Sequence, residues 1–150
     1  MLKWTLSLLM CFILNINCFA ATTKQQAESI YKKIIQSNGF WIYPKLNFSN
    51  SREMNASSGT IYITINQGML DNTNVDELAL VIGLELGHWK LHHRSSTPSN
   101  ELEADKAGWI YGSAAGYNMC RGKNIFKKFK QRASKTHPHP KDRYRSLPKC

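Results

Sequence analysis

The sequence predicts an α+β fold, in which a small β-sheet packs against one buried helix and further helices surround the pair. Three observations carry that prediction. Thr60 to Asn66, TIYITIN, places isoleucine at every second position among β-branched and aromatic neighbours, the period of a half-buried strand. Leu78 to Leu86 is apolar nearly all round, so the helix containing it belongs inside the molecule. The stretches on either side carry helix caps and stop signals at helical spacing. At 150 residues there is room for one domain with a modest core, and the chain contains no internal repeat or low-complexity linker.

Taken in order, Thr22 to Ser37 is rich in helix formers with Ile30, Tyr31, Ile34 and Ile35 on one side, and Asn38-Gly39 ends it. Phe40 to Phe48 is aromatic and punctuated by Pro44, which suits a strand that begins irregularly. Ser49 to Gly59 is polar and reads as a loop before the strand Thr60 to Asn66. Gly68 to Leu70 makes a short turn. Asn74 with Glu77 forms a capping box that opens a helix expected to run to about His93. Thr97-Pro98 supplies an N-cap and a first-turn proline for a helix running to about Ala115, where Gly116 stops it. Asn124 to Ala133 is expected as a short basic helix with Ile125, Phe126 and Phe129 as its buried stripe. THPHP, Thr136 to Pro140, cannot be helical, because proline disfavours the α conformation of the residue before it. A final turn covers Lys141 to Leu147.

Residues 1–20 read as a cleaved signal peptide. Lys3 is the positive n-region, Trp4 to Leu14 the apolar h-region, and cleavage is expected near Ala20 or Ala21. About eleven apolar residues cannot cross a hydrocarbon core of roughly 30 Å. The domain is therefore residues 21–150, exported by its signal peptide and either periplasmic or secreted. In that setting the two remaining cysteines, Cys120 and Cys150, favour a disulfide over two separate thiols.

Twenty Lys and Arg face ten Asp and Glu, a net charge of +10. Arg121 to Lys149 holds eleven of the basic residues and a single acid, Asp142. Such a segment suits a solvated face, or contact with an anionic envelope surface of lipid or polymer. Export argues against nucleic acid as a partner, and a monomer is expected.

The chemistry lies on two consecutive helices. Glu85 and His88 are spaced as the last two members of H-E-x-x-H, in which two histidines four apart bind zinc and the glutamate activates water. The first member is missing, because position 84 is Leu. At 100° per residue, positions 84 and 88 lie about 40° apart on one helix face, with Glu85 bordering them. Glu101 and Asp105 repeat the four-residue relation on the next helix. Buried charges are costly unless paired or bound to metal. Zinc would account for them, with His88 and Glu101 as ligands, Glu85 as general base and Asp105 orienting a ligand. A metal-free pairing of His88 with Glu101, imidazolium with carboxylate, accounts for those two equally.

The order of short motifs resembles the gluzincin zinc metallopeptidases related to the CAAX prenyl protease, the HtpX heat-shock protease and the periplasmic β-barrel-assembly-enhancing protease. The matching residues are Asn55-Ala56, the strand Ile61 to Ile65, Gly68-Met69-Leu70, Glu77-Leu78 and Glu85-Leu86-Gly87-His88. His93, Glu101 with Ala104-Asp105, Ala115-Gly116-Tyr117, Thr136-His137-Pro138 and Arg143 follow in order. The resemblance spans about Asn55 to Leu147. It implies a compact gluzincin-like domain, with His88 and Glu101 as the second and third zinc ligands and Glu85 as the catalytic base. Asp105 would stand beside the third ligand and His137 near the cleft. Ile61 to Ile65 would be the edge strand along which a peptide or protein substrate lies extended. The first ligand does not carry over to Leu84.

Three functional readings follow. The first is an exported protein with the metallopeptidase fold and an impaired centre, a pseudopeptidase whose Zn2+ is weak or absent. The second is an active zinc endopeptidase with a substitute ligand: His92, about 40° from His88 on an extended helix, or His137 or His139. The third is a basic binding module for anionic envelope polymers.

Overall fold

Helix α1, Lys24–Ser37, comes first in the computed structural model, which describes residues 21–150. The expected signal peptide lies outside the described residues. A capping box between Thr23 and Gln26 starts α1, and it buries Ala27, Ile30, Tyr31, Ile34 and Ile35. Three strands follow: β1 Lys45–Ser49, β2 Ala56–Ser58 and β3 Tyr62–Asn66. Next come α2 Gln67–Asp71, α3 Val75–Lys90 and α4 Pro98–Ala114. The chain ends with α5 Met119–Gly122, a 3-10 turn Lys123–Lys127 and α6 Pro140–Ser146. The fold is α+β, with a three-stranded sheet and helices, as the sequence predicts.

The sheet corrects one expectation. Its order is β1-β3-β2, parallel between β1 and β3 and antiparallel between β2 and β3. The strand containing Ile61 to Ile65 is therefore central, not an edge, which is why Ile63 and Ile65 are wholly buried. The edges are β1 and β2, and β2, Ala-Ser-Ser, lies in a stretch expected to be loop. Short polar strands are how sheets blunt their edges.

Helix α3 is the centre of the core. Asn74 and Glu77 cap it reciprocally, and every residue from Glu77 to Gly87 is buried. It ends at Lys90, three residues earlier than expected, and His92 beyond it takes a left-handed φ of 55°. Helices α3 and α4 cross almost backbone to backbone. A Cβ on Gly83 would sit 2.8 Å from the Gly108 carbonyl oxygen, and one on Gly108 would sit 2.7 Å from the Leu84 nitrogen. That contact brings the Glu85–His88 turn over Glu101 and Asp105.

The expected helix Asn124 to Ala133 is instead only the 3-10 turn Lys123–Lys127 that follows α5, after which the chain leaves helical geometry. The Gln131 amide donates to the carbonyls of Phe126 and Phe129, capping the turn from outside. Cys120 and Cys150 are disulfide-bonded, with Cα atoms 5.7 Å apart. The basic C-terminal segment is not one solvated face. Lys123 is buried, donating to the Pro148 carbonyl and lying 4.5 Å from the Tyr144 ring. Lys128 meets the buried Glu77 at 2.6 Å, and Arg143 is buried as well.

Candidate functional site

Glu85 and His88 project from the last two turns of α3, and Glu101 from the first turn of α4, where Thr97 and Pro98 fix the start of the helix. His88 Nε2 lies 3.5 Å from Glu101 Oε1. Ser96 donates to the same oxygen at 2.7 Å. The other Glu101 oxygen faces Arg143 Nη2 at 3.3 Å and His137 Nε2 at 3.7 Å. Arg143, from α6, also grips Asp105 with two hydrogen bonds, Nε to Oδ2 at 2.8 Å and Nη2 to Oδ1 at 2.6 Å. His88 Nδ1 is 3.0 Å from His93 Nδ1, and His93 Nε2 is 3.3 Å from Glu103.

Burial and these contacts set the protonation states. Burial pushes the Glu85 carboxyl up to about 7, helped by Glu101 and Asp105 and opposed by His88 and Arg143. Burial would raise Glu101 too, but hydrogen bonds from His88 and Ser96 and the Arg143 charge bring it down to about 2. Burial alone would lower His88. The Glu101 hydrogen bond and the nearby Glu85 override it, so the imidazole is raised above its ordinary value. Near neutral pH the site therefore holds an ionised Glu101 beside the Arg143 guanidinium and an imidazole biased toward its charged form, next to a Glu85 poised to exchange a proton.

A polar cleft of about 330 Å³ opens over these groups, bordered by β2 from Ala56 to Ser58, by Glu85, His88 and Glu101, and by His137. Behind it lies an apolar pocket of about 370 Å³, walled by Leu80, Val81, Leu84, Ile125 and Phe126. Glu85, Glu101 and His137 border both. Of the residues singled out in the sequence, Glu85, His88, Glu101 and His137 meet at the cleft. Asp105 lies beneath it, held by Arg143. His92 does not take part: it is exposed beyond the end of α3 and faces other grooves, so no helical stripe joins it to His88. His139 caps α6 by accepting from the Lys141 N–H.

Ser96 and the β2 edge were not singled out, and Arg143 was noted only as a motif residue. Ser96 is anonymous in a Ser/Thr/Asn turn, and Arg143 reaches Asp105 across 38 positions. The donor set does not fit a peptidase zinc. His88 and Glu101 would provide two ligands and Leu84 provides none. Among the described residues no group of three His, Cys, Asp or Glu side chains is arranged to hold a metal ion.

The sequence profile described as Peptidase family M48 matches residues 21–99, more than half of the chain. The match takes in α1, the sheet and α3 with Glu85 and His88, and stops two residues short of Glu101. A search of the curated proteins returns no match.

Proposed function

The chain belongs to peptidase family M48, and within that family we propose that it is an exported pseudopeptidase, one that holds extended peptide in its cleft without cutting it. Peptidases of this family are zinc-dependent, and a catalytic zinc takes three protein ligands and leaves a fourth position for water. The observation that carries the reading is the donor set. His88 and Glu101 face one another at 3.5 Å, while Leu84 presents a methyl-bearing wall to the apolar pocket. No hydrolytic step is assigned to these residues. Arg143 pairs with both Glu101 and Asp105, and His88 and Ser96 meet the other Glu101 oxygen, so the buried carboxylates are satisfied without a metal.

The cleft-side edge is β2, so an extended peptide or protein client would add as a strand beside Ala56 to Ser58, not along Ile61 to Ile65. Export rests on the n-region and h-region of residues 1–20. Intact mass should show a chain beginning near Ala21, and a mass that includes Met1 would remove that part of the reading. The basic-module reading is weakened because Lys123, Lys128 and Arg143 are occupied internally.

A second reading rests on His137, which borders the cleft 3.7 Å from Glu101 and could serve as the third ligand of an active enzyme. Metal analysis and peptide hydrolysis separate the two. The parent is expected to carry well under one zinc and no chelator-sensitive activity, and Leu84→Ala should leave both unchanged. Leu84→His should bring near-stoichiometric zinc and chelator-sensitive cleavage. A parent that already holds one tight zinc and cuts peptides overturns the proposal, and loss of that zinc in His137→Ala would establish the second reading.

A further inference from the structure

The described surface is strongly apolar where three segments converge: 40–45, 59–62 and 89–94. Trp41 is 95% exposed, Ile42 78% and Ile61 62%, and Tyr43, Tyr62 and Leu91 stand open around them. Hydrogen bonds tie the segments together. The Lys45 backbone N–H donates to the Ile61 carbonyl at 2.8 Å, and the Trp89 indole N–H to the Thr60 carbonyl at 2.9 Å. Phe40, Trp41, Ile42 and Trp89 wall one groove of about 440 Å³ together with Lys90 and His92. Single exposed apolar residues are ordinary, but a contiguous patch of this kind marks an interaction surface.

Its charge says what it meets. The three segments, FWIYPK, GTIY and WKLHHR, contain no Asp or Glu, and they hold Lys45, Lys90 and Arg94, all exposed. Trp and Tyr have an apolar body and a polar tip, which suits the boundary between headgroups and acyl chains. Protein interfaces are depleted in Lys, whereas anionic headgroups attract it. We propose that this tip docks the protein peripherally on an anionic lipid bilayer, with Trp41, Ile42 and Ile61 entering the headgroup boundary. The attachment differs from one through the basic segment 121–149. It stands whether or not the cleft cuts peptides. The groove formed by Ser58 to Thr60 and Trp89 is also walled by His88 and His93, so docking brings the cleft to the membrane surface. The clients it selects are then segments lying close to a bilayer.

Sedimentation of the purified protein with phosphatidylcholine vesicles, with and without phosphatidylglycerol, tests the proposal. Parent and variants share one N-terminus, so any contribution from it is common to all. The parent is expected to partition onto the anionic vesicles, and Trp41→Ser with Ile42→Ser to weaken that partition at least about tenfold. Lys45→Gln and Lys90→Gln should each weaken it about fivefold. Val75→Ser, exposed at the opposite end of α3, should not change it. Trp41→Phe should keep binding but lose most of the vesicle-induced blue shift in fluorescence, a readout that misfolding would not reproduce. Partition unaffected by the double serine variant overturns the proposal. So does a parent that stays in solution with both vesicles, an outcome that would assign the tip to a protein partner.

Discussion

The polar cleft and the apolar pocket behind it are hollows of similar size that share a wall and differ in everything else. His88 faces the first and Leu84 the second, one helical turn apart on α3, with Glu85, Glu101 and His137 between them. On the cleft side, Glu101 meets His88, His137 and Arg143. On the pocket side, Leu80, Val81, Leu84 and Phe126 exclude water from the same carboxylates, which is what lifts Glu85 and makes the Arg143 clamp necessary. On the proposed reading, one side chain at position 84 decides whether the shared wall belongs to a metal or to ion pairs.

The largest effect should come from breaking the wall at its clamp. Arg143→Met leaves Asp105, wholly buried, without its guanidinium, and one-sided loss of a buried pair costs about 3–5 kcal/mol. Denaturant unfolding measures it, and Asp105→Asn added to that variant should recover part of the loss. A cost below about 1 kcal/mol would mean that Asp105 is not held there as a carboxylate.

Next in size is the pH dependence of Glu85. Its folded value of about 7 lies above the ordinary 4.5, so the stability of its protonated form is complete below that ordinary value. It is lost as pH rises through about 7, a loss of up to about 3 kcal/mol. Glu85→Gln should therefore flatten the fall in melting temperature between about pH 5 and 8 and stabilise the protein at the upper end. His88 is shifted upward as well, so some slope remains. Glu101, pulled down, acts only in more acidic solution. A Glu85→Gln melting profile parallel to that of the parent would place the titrating group elsewhere.

Smaller again is Phe129→Ser at the pocket mouth, expected to cost about 1–2 kcal/mol of apolar burial while leaving the zinc content of Leu84→His unchanged. If that zinc falls in step, the two hollows are coupled and not merely adjacent. The smallest effect is expected for His92→Asn, whose side chain borders neither hollow and whose replacement tolerates a left-handed backbone. Stability should stay within about 0.5 kcal/mol, and metal content of Leu84→His should not move.

What the sequence made legible was local. The caps at Asn74 and Thr97 are short-range hydrogen bonds between neighbouring residues, and α3 and α4 begin where those signals fall. Glu85 and His88 were readable for the same reason, since a three-residue spacing puts them on one side of a helix, while Glu101 came with the order of motifs in the resemblance. The disulfide followed from the cysteine count. What failed was decided by tertiary contact. Ala-Ser-Ser has no strand period and becomes β2 only because β3 offers it a partner, a pairing that also turns the expected edge into the centre. Ile125, Phe126 and Phe129 do turn inward, but the first two lie on a 3-10 turn and Phe129 beyond its end, where the Gln131 side chain closes it. His92 was misplaced because the end of α3 has no proline or glycine to announce it.

The meeting of α3 and α4 at Gly83 and Gly108 has a mechanical consequence. Two backbones in van der Waals contact leave no compliant layer of side chains between them, so the pair behaves as one stiff bracket. Its spacing is fixed by main chain rather than by whatever occupies the gap between His88 and Glu101. The frame would keep the geometry of a metal centre even where the ligand set for one is incomplete. Exchanges at position 84 then bear on the chemistry of the site without placing a load on the scaffold that presents it.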